Sequence, residues 1–272
     1  MKKIVFLLVN YNNSKETIEF TNKVLLLEEK DSIDICIVNN SNETEYESLH
    51  QEFNSNKAVK IMHSSKNLGY LNGANYALES LNKNEYVYYI VCNTDMDFPE
   101  KEFIKNLLDF KKPSKTMIIA PKILKTDDNA NQNPYYKKKP SKKKFLIWKF
   151  FYKNDVSFYM YMKVNQIRKK FNKGLELNGV IGDEVIYAAH GSFMIIHQSF
   201  FYNKGTLKYP MFLYGEELYL ANQVEKLQGN VFYKDDLLIM HNEHSTTDDI
   251  NFSRRRLFIN QSIKFLYKNL NY

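Results

Sequence analysis

Through its first 120 residues the chain alternates short, largely apolar runs with longer stretches in which apolar residues recur every third or fourth position. The runs occupy 4–9, 33–38, 58–62, 86–92 and 117–120. Their length and polar borders predict strands buried on both faces. Between them, Thr17, Ile18, Val24, Leu25 and Leu26 follow a Ser14 N-cap, and a helix is expected over 45–53. Ala74, Ala77, Leu78 and Leu81 share one side of 71–82, and Phe103, Leu107, Leu108 and Phe110 mark a further helix. Strands alternating with helices predict β-α-β units, an α/β fold and a mainly parallel sheet. Residues 125–182 break this pattern. Beyond them come strands at 185–189 and 191–196 and a helix opened by Glu216-Glu217 and closed by Gly229. Short strands follow at 231–233 and 237–240, then a C-terminal helix over 252–270.

The strand ends share a chemistry. Asn10/Asn12, Asn39/Asn40, Asn67/Gly69 and Asn93/Asp95 follow the first four runs, and open α/β sheets bind ligands beyond the carboxyl ends of their strands. Asparagine is abundant throughout, so part of this recurrence is composition. The fourth run, Tyr86-Val-Tyr-Tyr-Ile-Val-Cys-Asn93-Thr-Asp95-Met-Asp97, carries the most specific signal. Its oxygens suit a hard divalent cation, which usually accompanies a phosphate. If the chain stays extended, Asp97 points the same way as Asp95. The competing reading is an Asx turn before a helix start at Pro99-Glu100. Glu216-Glu217 fits either complementation of a helix dipole or a general base. His241 and His244 end the last strand as metal ligands or as ordinary loop histidines.

With 272 residues and 44% apolar content the chain can bury a sizeable core. Cys36 and Cys92 sit late in strand-like runs and read as small buried hydrophobes, favouring a reducing, cytoplasmic setting. Met1-Lys-Lys before the 4–9 run mimics a signal peptide, but the run is short and no small-residue cleavage site follows. No run approaches the roughly 18 residues of a membrane span.

The net charge of +7 is concentrated: residues 137–170 hold twelve Lys or Arg against Asp155, a local +11 that leaves about −4 elsewhere. Were 138–153 helical, Lys138, Lys142, Lys149 and Lys153 would share a face, although Pro140 weakens its first turn. Phe145, Trp148, Phe150 and Phe151 add interfacial aromatics. This mixture suits an anionic membrane surface. A nucleic acid partner is not expected, because the chain has four Arg against 34 Lys and none of the usual motifs. A solvated insertion is the third reading.

Several segments together carry a resemblance: Val9-Asn-Tyr-Asn, Asn67-Leu-Gly-Tyr-Leu-Asn-Gly-Ala-Asn75, Asn93-Thr-Asp95, Gly191-Ser-Phe-Met-Ile-Ile196, Phe212-Leu-Tyr-Gly-Glu-Glu217 and His241 with Ser245. In this order they resemble the family 2 inverting nucleotide-sugar glycosyltransferases of GT-A fold, most of all the rhamnosyltransferase-like branch. Only 125–180 falls outside the likeness. It implies one GT-A domain over 1–272, with a nucleotide-binding half at 1–125, a basic insertion at 126–182 and an acceptor half at 183–272.

The resemblance also assigns roles. Asp95 would hold Mn2+ or Mg2+ on the donor diphosphate, with Asn93 in place of the family's first acid, Asp97 an additional candidate and His241 assisting. Val9, Tyr11, Asn39 and Asn40 would surround the nucleobase, and Asn10, Asn67, Gly69, Asn93 and Thr94 would complete the donor edge. An aspartate is usual at position 39; a carboxamide still accepts from a pyrimidine N3–H, so a UDP- or dTDP-sugar is expected. Glu217 would be the catalytic base, with Glu216 its competitor, and Arg254–Arg256 either face the diphosphate or form a solvated helix face. The implied acceptor is a glycan, lipid-linked, in bacterial surface polysaccharide such as capsule or lipopolysaccharide, with the enzyme peripheral at the inner face of the membrane. A nucleotidyltransferase would want a Gly-rich basic loop after the first strand, and 10–14 has none. A non-catalytic glycan- or nucleic-acid-binding protein on the same fold is the remaining alternative.

Overall fold

The computed structural model describes residues 3–172, 182–242 and 250–270, with side chains described only to 167 in the first stretch; His244 and Ser245 lie outside the described residues. β1 (Ile4–Asn10) lies between β2 (Ile33–Asn39) and β4 (Tyr88–Cys92), parallel to both, and β3 (Val59–His63) extends the sheet beyond β2. The crossovers are α1 (Ser14–Leu25), α2 (Glu43–Phe53) and α3 (Tyr70–Glu79). Their placement explains the largely apolar runs. Val5, Leu7, Val38 and Val91 face one layer with Leu71 and Ala74 of α3. Ile4, Phe6, Leu8, Ile37 and Ile90 face the other, with Phe20 of α1 and Leu49 of α2. Alternate residues of one strand thus serve two cores. The cap of α1 is Asn13, which accepts from Glu16 N, rather than the expected Ser14.

The sheet continues through β5 (Met96–Asp97), β6 (Thr116–Lys125), β7 (Glu184–Ile186), β8 (Phe193–His197) and β9 (Asn230–His241). Its order is β3-β2-β1-β4-β8-β6-β9-β5, with β7 also on β9. β8 runs antiparallel to both β4 and β6, whereas β6 and β9 are parallel, so a mixed sheet joins the two halves of the chain. Two expectations change here. β9 is one strand, not two; its ladder with β6 jumps from Lys234 to Leu238, and this irregularity produces the apparent break in the sequence. Past Ile186 the predicted strand gives way to a single bridge between Tyr136 and Ala188.

The remaining helices are α4 (Phe103–Asp109), α5 (Lys142–Phe151), α6 (Asp155–Asn172), α7 (Gln198–Tyr202), α8 (Glu216–Lys226) and α9 (Phe252–Asn269). α5 starts only after Pro140, with Ser141 as its cap. Lys138 and Lys153 therefore fall outside it, and the expected four-lysine face does not form. Nor is the insertion merely solvated. Phe145 and Trp148 pack with Leu218 and Ala221 of α8 and with Ile263 and Leu266 of α9. Among the described residues no helix is long and apolar enough to cross a membrane. Cys36 and Cys92 are buried and unbridged.

Candidate active site

The sheet grows to one side of β1 through β2 and to the other through β4, so the crevice between strand ends opens beyond Asn10 and Cys92. A cavity of about 460 Å³ occupies it. Val9, Asn10, Tyr11, Asn40, Asn67 and Gly69 form one wall, and Asn93, Thr94 and Asp95 line it from the end of β4. Glu216, Glu217 and His241 close the far side. Twelve residues picked from the sequence therefore meet in one cavity, although they span more than 230 positions of chain.

Asn39 and Asp97 do not line it. Asn39 is fully buried, and its carboxamide is committed: Oδ1 accepts from Asn10 Nδ2 at 2.9 Å, and Nδ2 donates to the Asn42 carbonyl at 2.9 Å. Asn10 also accepts from Thr17 Oγ1 at 2.9 Å, so these residues form a polar floor under the cavity. Asn40 does line the cavity; its Nδ2 donates to the Gly69 carbonyl at 3.1 Å and its Oδ1 is buried with no hydrogen-bond partner. Asp97 turns away. The chain bends at 94–95, β5 pairs with β9, and the Asp97 carboxylate meets Lys23 Nζ at 3.0 Å.

Asp95 is 6% exposed. Its Oδ2 lies 3.2 Å from His241 Nε2, while Oδ1 is buried without a hydrogen-bond partner. On the other edge of the imidazole, Nδ1 lies 2.6 Å from Gln132 Oε1. A carboxamide oxygen only accepts, so Nδ1 donates to Gln132, which fixes the ring with Nε2 toward the carboxylate. A divalent cation would satisfy the orphaned Oδ1 with the imidazole beside it, so Asp95 and His241 fit a metal. Among the described residues no group of three potential metal-ligating His, Cys, Asp or Glu occurs.

Glu216 and Glu217 enter at the first turn of α8, which Gly215 caps at φ +86°. Burial, then the neighbouring Glu217 charge, lifts Glu216 to about 8 from its ordinary value of 4.5. Burial also raises Glu217, countered by N–H donation from its own backbone and from Gly191. Of the two, Glu217 is the one whose carboxylate meets the Gly191 turn. Its carboxylate rests on Gly191, where an added Cβ would stand 2.7 Å from Oε1. Glycine at 191 makes this approach possible.

Three contributors were not singled out from the sequence. Tyr70 lines the cavity and donates to the Gly191 carbonyl at 2.9 Å. His190 also lines it. Its Nδ1 accepts from Ser192 N at 3.2 Å, which leaves Nε2 as the protonated nitrogen, and burial lowers it to about 4. Tyr70 stands within the Asn67–Asn75 segment but was given no role of its own, and His190 stands just before the Gly191–Ile196 segment. Glu16 receives the Thr94 hydroxyl at 2.7 Å. Of the arginines, Arg254 lines the cavity, while Arg256 is bound to Asp155.

The sequence pattern of Glycosyl transferase family 2 matches residues 6–196. The chain belongs to this family. Within the glycosyltransferase match lie the asparagine-lined wall of the cavity, Asp95 and the His190-Gly191 turn; Glu216, Glu217 and His241 fall beyond it and join the site through geometry. No curated protein sequence matches. Among solved structures, a mannosyltransferase from Pyrobaculum calidifontis in complex with GDP-Man and Mn2+ aligns at TM-score 0.57 and 9% identity, covering 90% of this chain and 58% of that one. GalNAc-T7 with UDP, GalNAc and Mn2+ aligns at TM-score 0.61 and 12% identity, covering 89% of this chain and 44% of that one. At such identities the likeness shows the fold alone, a GT-A-type arrangement, and the chain spans about half the length of these proteins.

Proposed function

We propose that this protein is a metal-dependent glycosyltransferase that moves one sugar from a nucleoside diphosphate to a hydroxyl of a glycan acceptor, with inversion. One observation carries the reading. A buried carboxylate with an unmet oxygen, Asp95, shares a cavity with a second carboxylate, Glu217, seated on a glycine turn. Asp95 and His241 would hold Mn2+ or Mg2+, whose charge offsets the donor diphosphate. Glu217 takes the proton of the acceptor hydroxyl. The freed oxygen forms its bond to the anomeric carbon as the bond to diphosphate breaks, so no enzyme nucleophile is required. The unpartnered Asn40 Oδ1 would accept a pyrimidine N3–H, which supports UDP- or dTDP-sugars, and Tyr11 would offer an aromatic face at the same wall. Both structural neighbours were solved with Mn2+ and nucleotides or nucleotide sugars, which supports this donor class. The rhamnosyltransferase-like order of motifs and the basic segment favour a lipid-linked acceptor in bacterial surface polysaccharide assembly.

A panel of nucleotide sugars, assayed for Mn2+-dependent release of nucleoside diphosphate, tests the reading. UDP or dTDP with Mn2+ should raise the melting temperature. EDTA or Asp95→Asn should abolish that shift. Glu217→Gln should keep the shift and lose about 10²–10⁴-fold in turnover. Wild-type turnover in both variants would refute the site.

A further inference from the structure

α5 and α6 each carry a second apolar stripe that the fold leaves uncovered. On α5, Phe145 and Trp148 are buried, but Leu146, Ile147 and Phe150 are 48%, 51% and 67% exposed. On α6, Phe158 is buried, whereas Val156, Met160, Val164 and Ile167 are 56–72% exposed. Their spacing puts each set on one helix face. Half of the sixteen large apolar side chains exposed among the described residues fall within 146–167. Scattered exposed apolar residues need no explanation, but a cluster on two adjoining helices does.

The charge around this patch has one sign. Lys142, Lys143 and Lys144 open α5, Lys149 and Lys153 follow, and Lys163 stands within α6. The one acid of the segment, Asp155, is already engaged by Arg256 and Ser253. A second copy of the chain would set lysine against lysine. Single-stranded nucleic acid would stack on aromatic faces and leave Val156, Val164 and Ile167 uncovered. Apolar side chains with lysines beside them on the same helices match the headgroup boundary of an anionic bilayer.

We infer that α5 and α6 form a docking surface for an anionic lipid membrane. Phe158 of α6 packs on Phe252 with ring centroids 4.6 Å apart, at the start of α9, where Asn251 and Arg254 line the cavity. Docking therefore brings the cavity rim close to the bilayer. This deepens the acceptor side of the proposed function, but it stands on the two helices alone.

The test sediments the full chain with vesicles of phosphatidylcholine, alone or mixed with phosphatidylglycerol. The protein should pellet with the mixed vesicles and not with the neutral ones. Phe150→Asp combined with Val164→Asp should lower partition about tenfold or more. Each of Lys142→Gln and Lys143→Gln should lower it about fivefold, and added salt should weaken it further. Melting temperature and donor hydrolysis in solution should stay at wild-type levels in these variants. Equal pelleting with both vesicle types, pelleting insensitive to the variants, a dimer dissolved by Phe150→Asp, or retention of single-stranded DNA in place of vesicles would each overturn the inference. Asp95→Asn should leave vesicle binding intact, so docking and transfer fail separately.

Discussion

Gly191 and Glu217 show how little space separates scaffold from chemistry. Gly191→Ala places a methyl against the Glu217 carboxylate; displacing a base by about 1 Å costs roughly 10²-fold in turnover. Steady-state kinetics should show that loss in kcat with donor binding retained. The adjoining Glu216 makes a pH prediction. Its folded value of about 8 exceeds the ordinary 4.5, so the folded chain holds this proton where the unfolded chain has released it. The stabilising contribution is full below the unfolded value and is lost as pH rises toward 8. Glu216→Gln removes this dependence, so melting curves should show the variant gaining on wild type between pH 5 and 8. Asp97→Asn, by contrast, breaks only a half-exposed pair with Lys23 and should leave turnover within about twofold of wild type. Asp95 was legible because an acid at the end of a buried strand has few other uses. Asp97 and Asn39 misled for one reason: side-chain direction beyond a strand end depends on partners distant in sequence. The bend at 94–95 cancels the alternation assumed for Asp97, and the Asn10–Asn39 bond consumes the carboxamide expected to read a base.

At the scale of elements, the strands of the first half were readable because burial on both faces leaves largely apolar runs. α3 was readable as well, but its start depends on Gly69, at φ +82° and packed against the Phe212 carbonyl. Gly69→Ala combines a left-handed backbone with that clash. It should cost about 1–3 kcal/mol, seen as a lower urea midpoint. α6 was missed because it bears apolar residues on both its inner and outer faces, so no single face stands out from its periodicity. β9 was split in two because Lys234, Asp235 and Asp236, at the irregularity of the ladder, are all charged, which in sequence looks like a turn.

Over the whole molecule, charge and topology divide the labour. The cavity wall at Asn10, Asn40 and Asn93 belongs to parallel β-α-β units, the part of the chain whose pattern is most regular. The proposed acceptor side is built from α5, α6, α8 and α9, which are joined through Phe145, Trp148, Tyr161, Leu218 and Ile263. Such contacts between distant segments have no local signature, which is why the basic insertion could be recognised from its composition but not placed. Its position predicts a functional split. Variants of the outer lysines and apolar residues should change turnover on a membrane-borne acceptor while leaving hydrolysis of the donor in solution unchanged, and parallel assays of the two activities check this.

The reversed strand β8 has a wider consequence. In an all-parallel sheet every strand begins on the side opposite the ligand. Because β8 runs the other way, it begins at the ligand edge, where Asn93 N donates to the Ser192 carbonyl at 2.8 Å. β6 ends at that same edge, with Lys125 beside His241. The segment from 126 to 192 therefore leaves and returns at the mouth of the cavity. Both ends are held in one sheet, so a change in the length of this stretch would reshape the rim of the cavity without moving the strands beneath it.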